Sequence, residues 1–422
     1  MRDATIAWLH VVQAHPLYWW SLLFFAGYPV LSAITWVTTG LHFYLRRERG
    51  QEALDSPPPM PHYPTVSVLI PAYCEEKVIA RTLEAATAID YPDFEIVVVD
   101  DASTDRTREV IRPFVERGEV RLISKERNEG KAMAMNDALP CLRGEILLIM
   151  DADAMPDPQI LRWVVPHFAS ARVAGVTGNP RVWNRITFLS KLQLIEFTSI
   201  VSLLRRAQRI WGRILTMSGV VGAFRKSALY DVGCYSPEMA TEDIDMTWKL
   251  QRAHYDVRYE PRALVWMQVP EGLPGLIAQR RRWAIGLSQV VRRHGSLLFD
   301  WRQRRMWPMF YEAMLSIVWA YCFVVLTALW IISYSMGVPP VGASPIPNWW
   351  GMMIGTLCLT QLLTGVLLDA RYDRTVLRYF PVAVSYPIIY WMLMSLITVF
   401  ATPAGLFRLR SKGQVTQWRT TR

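Results

Sequence analysis

The chain has 422 residues, of which 52% are hydrophobic and 18 are tryptophan. This apolar content is larger than a soluble domain needs, so the composition excludes a purely soluble protein. The formal net charge is +10, but no basic stripe with interleaved aromatic residues accompanies it. We therefore expect membrane lipids, and no nucleic acid, as partners of the basic residues. The five cysteines are scattered without metal-type pairs and are predicted to be reduced.

Apolar segments near both ends of the chain predict membrane spans. No formal charge occurs in residues 16–45, 313–368 and 379–407. About 20 such residues suffice to cross a bilayer as a helix. The middle segment is long enough for two crossings and is interrupted by the Gly- and Pro-containing run GVPPVGASPIPN. We therefore expect four spans, at about 17–44, 313–335, 349–368 and 380–407.

The basic residues that flank these segments predict their orientation. Three arginines follow the first span between positions 46 and 49, and three follow the third between 371 and 378, whereas the loop at 337–348 is uncharged. The positive-inside rule places both basic flanks in the cytoplasm, together with everything between spans one and two. Four crossings would leave the basic tail at 408–422 outside. Either the last segment is partly re-entrant, or the amino-terminal region contributes differently.

The middle of the chain has the pattern of an α/β domain. After a linker at 51–61, the runs TVSVLIP, FEIVVVDD, EVRLIS and EILLIMD alternate with helix-forming stretches, which predicts a parallel sheet. The nucleotide-binding part is expected at about 62–180, within a cytoplasmic domain at 62–300. Ligands of such sheets bind beyond the carboxyl ends of the strands. Residues 71–76, Asp100, Asp101 and the DAD triplet at 151–153 follow three of these strands directly.

Two amphipathic segments are expected to lie in the membrane interface, at about 186–211 and 273–294. Apolar residues recur in both at helical spacing, and the first carries RRAQR near its end. The alternative is an ordinary helix that packs on a core.

Three short motifs predict the chemistry. Asp151 and Asp153 end a buried apolar run and are hard oxygen ligands, which suit a Mg²⁺ or Mn²⁺ ion bridging a diphosphate, with Asp153 as the metal ligand and Asp151 near the ribose or the metal. The acidic TED segment supplies a candidate general base among Glu242, Asp243 and Asp245. Its alternative is a helix N-terminus with acids in the first turn.

The QRRRW segment predicts an acceptor site. On a helix Gln279, Arg282 and Trp283 fall on one side, where Arg282 can neutralise a leaving diphosphate and Trp283 offers a flat face to a sugar ring. The alternative is a membrane anchor, with Trp at the interface and Arg reaching towards the headgroups. Small residues at Ser218 and Gly219 allow a glycan to approach the backbone.

The order PAYCEE, DDAST, DAD, TED and QRRRW resembles the processive family of inverting glycosyltransferases with a GT-A fold, which includes cellulose, chitin and hyaluronan synthases. The flanking runs VAGVTGNPRV, TEDIDMTWKLQ and YEPRALVWMQVPEGLPGLIAQRRRWAIG resemble the members that make β-1,6-linked poly-N-acetylglucosamine. The resemblance implies a GT-A domain joined to transmembrane and interfacial helices in the bacterial inner membrane. It also implies UDP-N-acetylglucosamine as donor, a growing glycan as acceptor and export of the polymer for a biofilm matrix.

The resemblance also implies individual roles. Asp243 is the general base among the three acids. Asp101 contacts the uridine, Tyr73 and Glu75 line the base pocket, and Lys131 approaches the nucleotide. For Asp100 or Asp105 the alternative is a cap on the following helix. The tail QWRTTR is similar to a stretch that folds over the donor in related synthases. A short two-span accessory subunit and regulation by cyclic di-GMP are further expectations, although no domain that binds this nucleotide is visible.

Competing functions use the same motifs. Hyaluronan, chitin-oligosaccharide and glucan synthases carry out the same chemistry and differ from a poly-N-acetylglucosamine synthase only in pocket residues. A single-transfer enzyme that glycosylates a lipid carrier needs no grip on a growing chain, so QRRRW and the flanking spans argue against it. A non-enzymatic channel or scaffold is disfavoured by the intact DAD and TED motifs.

Overall fold

The computed structural model describes residues 2–50, 56–338 and 349–407. The basic tail, the first half of the predicted linker and most of the uncharged loop at 337–348 lie outside these ranges. The strands are β1 (Val66–Ala72), β2 (Phe94–Asp100), β3 (Arg121–Ser124), β4 (Ile146–Met150), β5 (Met155–Pro156), β6 (Val173–Val182), β7 (Val221–Arg225) and β8 (Asp256–Met267).

The α-helices of the described ranges are α1 (Arg2–Ala14), α2 (Pro16–Phe43), α3 (Ile79–Thr87), α4 (Thr107–Glu116), α5 (Lys131–Ala138), α6 (Ile160–Val164), α7 (Phe188–Ile195), α8 (Ser202–Trp211), α9 (Lys226–Asp231), α10 (Glu242–Arg252), α11 (Leu273–His294), α12 (Trp307–Ser335), α13 (Trp349–Asp369) and α14 (Trp391–Phe407).

The strands form one sheet in the order β3-β2-β1-β4-β7-β6-β8-β5. The four predicted strands are β1 to β4, and their parallel pairing confirms the α/β prediction. Beyond them β7 runs antiparallel to both β4 and β6, and β8 runs parallel to β6. The sheet therefore continues well past Pro180, where we expected the nucleotide-binding part to end, because β7 and β8 join it.

Two hydrophobic cores cover the two faces of this sheet. In β1, Val68 and Ile70 pack with α3, α4 and α6 on one face, whereas Leu69 packs with α5, α9 and α10 on the other. Every residue of β1 is buried, as expected for a parallel strand covered by helices on both sides. The rigid sheet thus holds the carboxyl ends of β1, β2 and β4 in fixed positions.

The first amphipathic segment is helical almost throughout. Between α7 and α8 lies a π-helical turn at Glu196–Val201, and Gly212 ends the segment in the left-handed conformation at φ +82°. Two glycines let candidate membrane helices approach it closely. A Cβ at Gly40 of α2 would lie 2.4 Å from Leu203 Cδ1, and one at Gly365 of α13 would lie 2.3 Å from the Ser199 carbonyl oxygen. The segment is therefore packed between α2 and α13.

A buried ion network joins these helices to the sheet. The guanidinium of Arg206 forms ion pairs with Glu48 at 2.6 Å and with Asp369 at 2.9 Å. Arg181 of β6 pairs with the second oxygen of Asp369 at 2.7 Å. All four side chains are at most 2% exposed. Removing one partner of such a buried set leaves an uncompensated charge and costs about 3–5 kcal/mol.

Three described helices are long and apolar enough to cross a membrane: Pro16–Glu48, Trp301–Ser335 and Gly351–Asp369. The last predicted span, 380–407, is not one helix. It begins within a 3₁₀ segment (Arg374–Ser385), continues through a π turn (Tyr386–Tyr390) and ends as the 17-residue helix α14. The number of crossings stays a prediction. Residues 2–14 form the separate helix α1, where Gln13 Nε2 donates to Ser333 Oγ at the end of α12.

Candidate active site

A cavity of about 2240 Å³ runs from the carboxyl ends of the strands to α14. Its walls contain every site residue that the motifs predicted except Asp101. These residues are Tyr73, Glu75, Lys131, Asp151, Asp153, Ser218, Gly219, Asp243, Gln279, Arg282 and Trp283. Motifs that are up to two hundred residues apart in sequence thus meet around one space.

The loop after β1 carries Tyr73 and Glu75 at one end of the cavity. Backbone N–H groups of this loop bind the DDAST segment: that of Cys74 donates to Ser103 Oγ, and that of Glu75 donates to Thr107 Oγ1 at 2.8 Å. Asp105 accepts hydrogen bonds from the N–H groups of Glu76 and Thr107. Asp105 therefore binds the first N–H group of α4, although the N-cap residue is Arg106, which makes no side-chain cap.

Asp101 is directed away from the cavity. Its side chain is fully buried and accepts hydrogen bonds from the backbone N–H groups of Glu129, at 3.1 Å, and Gly130, at 2.7 Å. Gly130 has φ +83°, a conformation that favours glycine, and it directly precedes α5. Asp101 thus positions the loop before Lys131, and the uridine contact that the resemblance implied stays a prediction.

Lys131 contacts the DAD triplet, the Ser218–Gly219 pair and the TED segment. Its ammonium lies 2.6 Å from Asp151 Oδ1, 3.1 Å from the Gly219 carbonyl oxygen and 3.4 Å from Glu242 Oε1. Burial alone would lower the pKa of Lys131, but the carboxylates of Asp151 and Glu242 outweigh that effect and raise it. The lysine is therefore a permanent cation between the DAD and TED motifs.

The donor set at the DAD motif fits a hard divalent ion. Asp153 lies in the cavity wall, and one oxygen of the neighbouring Asp151 is bonded to Lys131. Among the described residues no group of three or more His, Cys, Asp or Glu side chains is placed to hold a metal by itself. A site with one or two carboxylates suits Mg²⁺ or Mn²⁺ when substrate phosphates supply further oxygens.

Asp243, the predicted general base, lies in surroundings that disfavour its ionised form. Burial and the neighbouring Glu242 carboxylate raise the pKa of Asp243 to about 6, although Lys131 opposes them. The absence of a side chain at Gly219 makes room for this carboxylate, since a Cβ there would lie 2.9 Å from Asp243 Oδ2. Asp245 faces elsewhere, with His294 Nε2 at 2.9 Å and Ser236 Oγ at 2.7 Å.

The TED segment packs directly on α11. A Cβ at Gly286 would lie 2.1 Å from Thr241 Oγ1 and 2.7 Å from Thr241 Cβ, so the two elements approach as closely as glycine allows. The backbone N–H of Ala240 also donates to Gln289 Oε1 at 2.9 Å. The TED segment, which carries the predicted base, and the QRRRW helix are therefore held at a fixed separation.

Comparisons with known proteins agree with this geometry. A family model described as "Glycosyltransferase like family 2" matches residues 64–286. The chain belongs to this glycosyltransferase family. It is 31% identical over 403 residues to a poly-β-1,6-N-acetyl-D-glucosamine synthase of Staphylococcus epidermidis, covering 94% of this chain and 96% of the relative. A protein of the same name from Staphylococcus aureus (strain COL) is 30% identical over 402 residues, with the same coverage of both chains.

A solved structure shares the fold. It is a mannosyltransferase of Pyrobaculum calidifontis in complex with GDP-mannose and Mn²⁺, with a TM-score of 0.62 and 24% identity. The match covers 91% of this chain and all of the mannosyltransferase. The GT-A fold that the motifs implied is thereby confirmed.

In this glycosyltransferase Trp283 is held by a cluster that the sequence did not reveal. The guanidinium of Arg280 lies 4.1 Å from the centre of the Trp283 ring and forms two hydrogen bonds with the Glu196 carboxylate. Tyr390 donates to the same carboxylate at 2.7 Å, and Phe197 meets the Trp283 ring edge-to-face. One face of the indole is therefore covered by a cation, and the ring has little freedom to turn.

Sequence reasoning also missed cavity residues from two other elements. The first amphipathic segment contributes Phe197, Val201 and Arg205, and α14 contributes Met394, Ile397 and Thr398. Phe197, Val201 and Arg205 are four residues apart, and this spacing predicts that they share one side of a helix. The contribution of α14 had no local signal, since it arises where α14 packs on α11 through Gly405.

Proposed function

We propose that this glycosyltransferase polymerises N-acetylglucosamine from UDP-N-acetylglucosamine into a β-1,6-linked chain and exports it across the bacterial inner membrane, as part of a biofilm matrix. One observation carries the proposal: a single cavity is lined by the DAD and TED carboxylates, by Trp283 and by residues of α14. The names of the two staphylococcal relatives support the identity of the polymer.

The chemistry is a direct displacement. The acceptor hydroxyl oxygen attacks the anomeric carbon, the bond from that carbon to the diphosphate oxygen breaks, and UDP leaves with the bonding electrons. Asp243 accepts the hydroxyl proton, and a pKa of about 6 keeps it mostly ionised at pH 7. Because attack occurs opposite the diphosphate, the anomeric configuration inverts and no covalent enzyme intermediate forms.

Cationic side chains and a metal serve the leaving diphosphate. Lys131 and Arg282 are in the cavity wall, where their charge favours the developing UDP anion. Asp153, with Asp151, would hold a Mg²⁺ or Mn²⁺ ion, which would supply a further positive charge to the diphosphate. The Mn²⁺ in the complex of the Pyrobaculum mannosyltransferase supports this part of the proposal. Tyr73 and Glu75 complete the donor site, where they would line the pocket of the uracil base.

The acceptor side leads towards the membrane helices. Gln279, Ser218 and Gly219 line the cavity near Asp243, and Trp283 offers its uncovered face to the acceptor sugar. A smaller apolar cavity of about 170 Å³ lies between α11, α12 and α14 and shares Ala284, Leu287, Met394 and Thr398 with the large one. This continuity supports a route by which each added unit moves the chain outward. The accessory subunit and cyclic di-GMP regulation stay predictions.

The proposal is tested with the full chain in lipid vesicles. UDP release is measured with UDP-N-acetylglucosamine, UDP-glucose and UDP-glucuronic acid, with Asp243→Asn as the inactive control. The polymer is then digested with a β-1,6-specific hexosaminidase, and its location inside or outside the vesicle is recorded. We expect turnover of UDP-N-acetylglucosamine and a digestible polymer. Preferential turnover of another donor, or transfer of a single sugar to lipid, would replace this function with one of the alternatives.

A further inference from the structure

A row of side chains from the first amphipathic segment leads from the QRRRW helix towards Asp243. Phe197 meets the Trp283 ring, Val201 follows one turn later, and Arg205 comes after a further turn. All three line the large cavity. The row therefore starts beside the proposed acceptor platform, and it ends with a cation that interacts electrostatically with Asp243.

Arg205 is buried without the ion pairs of its neighbour. Only 5% of the residue is exposed, its Nη1 donates to the Gly178 carbonyl oxygen at 3.0 Å, and among the described residues its Nε has no hydrogen-bond partner. Arg206, one position along, instead pairs with Glu48 and Asp369. Two adjacent arginines thus have different environments, and only Arg205 faces the cavity.

An arginine in this state has donor capacity left over. Burial lowers the pKa of Arg205, and Tyr259 and Asp243 compensate only in part. A guanidinium carries five N–H donors and no acceptor, so a partner that completes its hydrogen bonding must supply oxygen lone pairs. Burying such a group with donors unsatisfied is costly, and a ligand that satisfies them recovers part of that cost.

We infer that Arg205 is an acceptor-binding residue. Its guanidinium donates a hydrogen bond to a neutral oxygen of the terminal sugar of the glycan, namely the acetamido carbonyl oxygen. The inference rests on the proposed function. The donor diphosphate is served by Lys131 and the DAD carboxylates. Arg205 lies instead on the row that begins at Trp283, which is the side from which the acceptor approaches Asp243.

The test uses the full-length enzyme in detergent, a β-1,6-linked N-acetylglucosamine tetrasaccharide as added acceptor, and three variants. Arg205→Met removes charge and donors while it keeps an unbranched apolar chain. Arg205→Lys keeps the charge but not the fork of donors. Arg209→Gln is the matched control, because Arg209 lies one turn further on, pairs with Asp256 and does not line the cavity. Thermal unfolding of each variant reports on folding.

We expect Arg205→Met to raise the KM for the tetrasaccharide at least tenfold, with the Kd of UDP within about twofold of wild type. The KM of Arg205→Lys should lie between those of wild type and Arg205→Met, and the KM of Arg209→Gln should match that of wild type. With a de-N-acetylated tetrasaccharide as acceptor, the KM values of wild type and Arg205→Met should differ less, since the acetamido carbonyl is absent.

Two results would overturn the inference. One is a folded Arg205→Met enzyme with an unchanged KM for the tetrasaccharide. The other is a parallel loss of UDP affinity, which would move Arg205 to the donor side or to a purely structural role. Failure of the proposed function is separable from both, because it appears in the wild-type enzyme as turnover of a different donor or as no polymer.

Discussion

A methyl group at Gly286 is expected to disable the enzyme from outside the cavity. In Gly286→Ala the new Cβ meets Thr241 Oγ1 at 2.1 Å, whereas an ordinary contact is at least 3.4 Å. Rotation of the threonine does not relieve this overlap, because Thr241 Cβ itself lies 2.7 Å away. The TED segment and α11 must therefore separate by about 0.7 Å even after the threonine rotates, and by about 1.3 Å if it does not. Asp243, two residues after Thr241, moves with the segment.

The expected size of the effect follows from that displacement. A misplacement of about 1 Å between a catalytic group and its substrate costs roughly 100-fold in rate. Overpacking also lowers the free energy of unfolding by about 1–3 kcal/mol, which leaves the protein folded if its stability is ordinary. We therefore expect Gly286→Ala to fold, to bind UDP and to turn over about 100-fold more slowly.

The assay is UDP release at saturating donor, with thermal unfolding and UDP binding measured on the same preparation. Gly295→Ala is the matched control, because Gly295 directly follows α11 and a Cβ there meets nothing within 4 Å. Turnover of Gly286→Ala within twofold of wild type would refute the reasoning, since it would show that α11 and the TED segment separate without moving the base.

Four other outcomes are expected. Asp243→Asn should lower turnover by roughly 100-fold or more while donor binding changes little, and near-normal polymer would remove Asp243 from the base role. Because the base acts when ionised, the rate of the wild-type enzyme should fall as the pH falls through about 6, and a pH-rate profile flat down to pH 4.5 would contradict the raised pKa. Asp153→Ala should abolish metal-dependent donor binding, which is measured by calorimetry with and without EDTA; retained binding in EDTA by the wild type would count against a metal. Trp283→Ala should leave slow UDP release but no long polymer on gels, whereas Trp283→Phe keeps part of the activity; full-length polymer from Trp283→Ala would reduce the residue to an anchor.

Most candidate residues could be predicted to meet around one cavity, because they belong to short motifs at strand ends or on one helix. The apolar runs that become β1 and β4 end directly on residues that line the cavity, and topology brings such strand ends together. Helical spacing predicted that Asp245 points in another direction than Asp243, and in the structure Asp245 contacts His294. These features depend on residues close in sequence.

Other features depend on packing between distant segments. The hydrogen bonds of the Asp101 carboxylate to the backbone of a loop almost thirty residues later in sequence could not be predicted from its own motif. The role of Gly286 arises only because α11 meets Thr241, and that of Arg205 only because its helix borders the cavity. The strands β7 and β8 were missed because β7 is a five-residue run that contains a glycine and β8 is interrupted by Pro261.

The buried ion network has a consequence for how this protein is prepared. Its members are far apart in sequence: Glu48 lies 158 residues before Arg206, and Asp369 lies 188 residues after Arg181. During synthesis both arginines emerge long before Asp369, so the network closes only after α13 has been made. A truncated catalytic domain without residues 16–48 and α13 would lose both acids and leave Arg181 and Arg206 without their partners. Soluble fragments cut at the domain boundary are therefore expected to aggregate or misfold, and enzymology requires the intact chain.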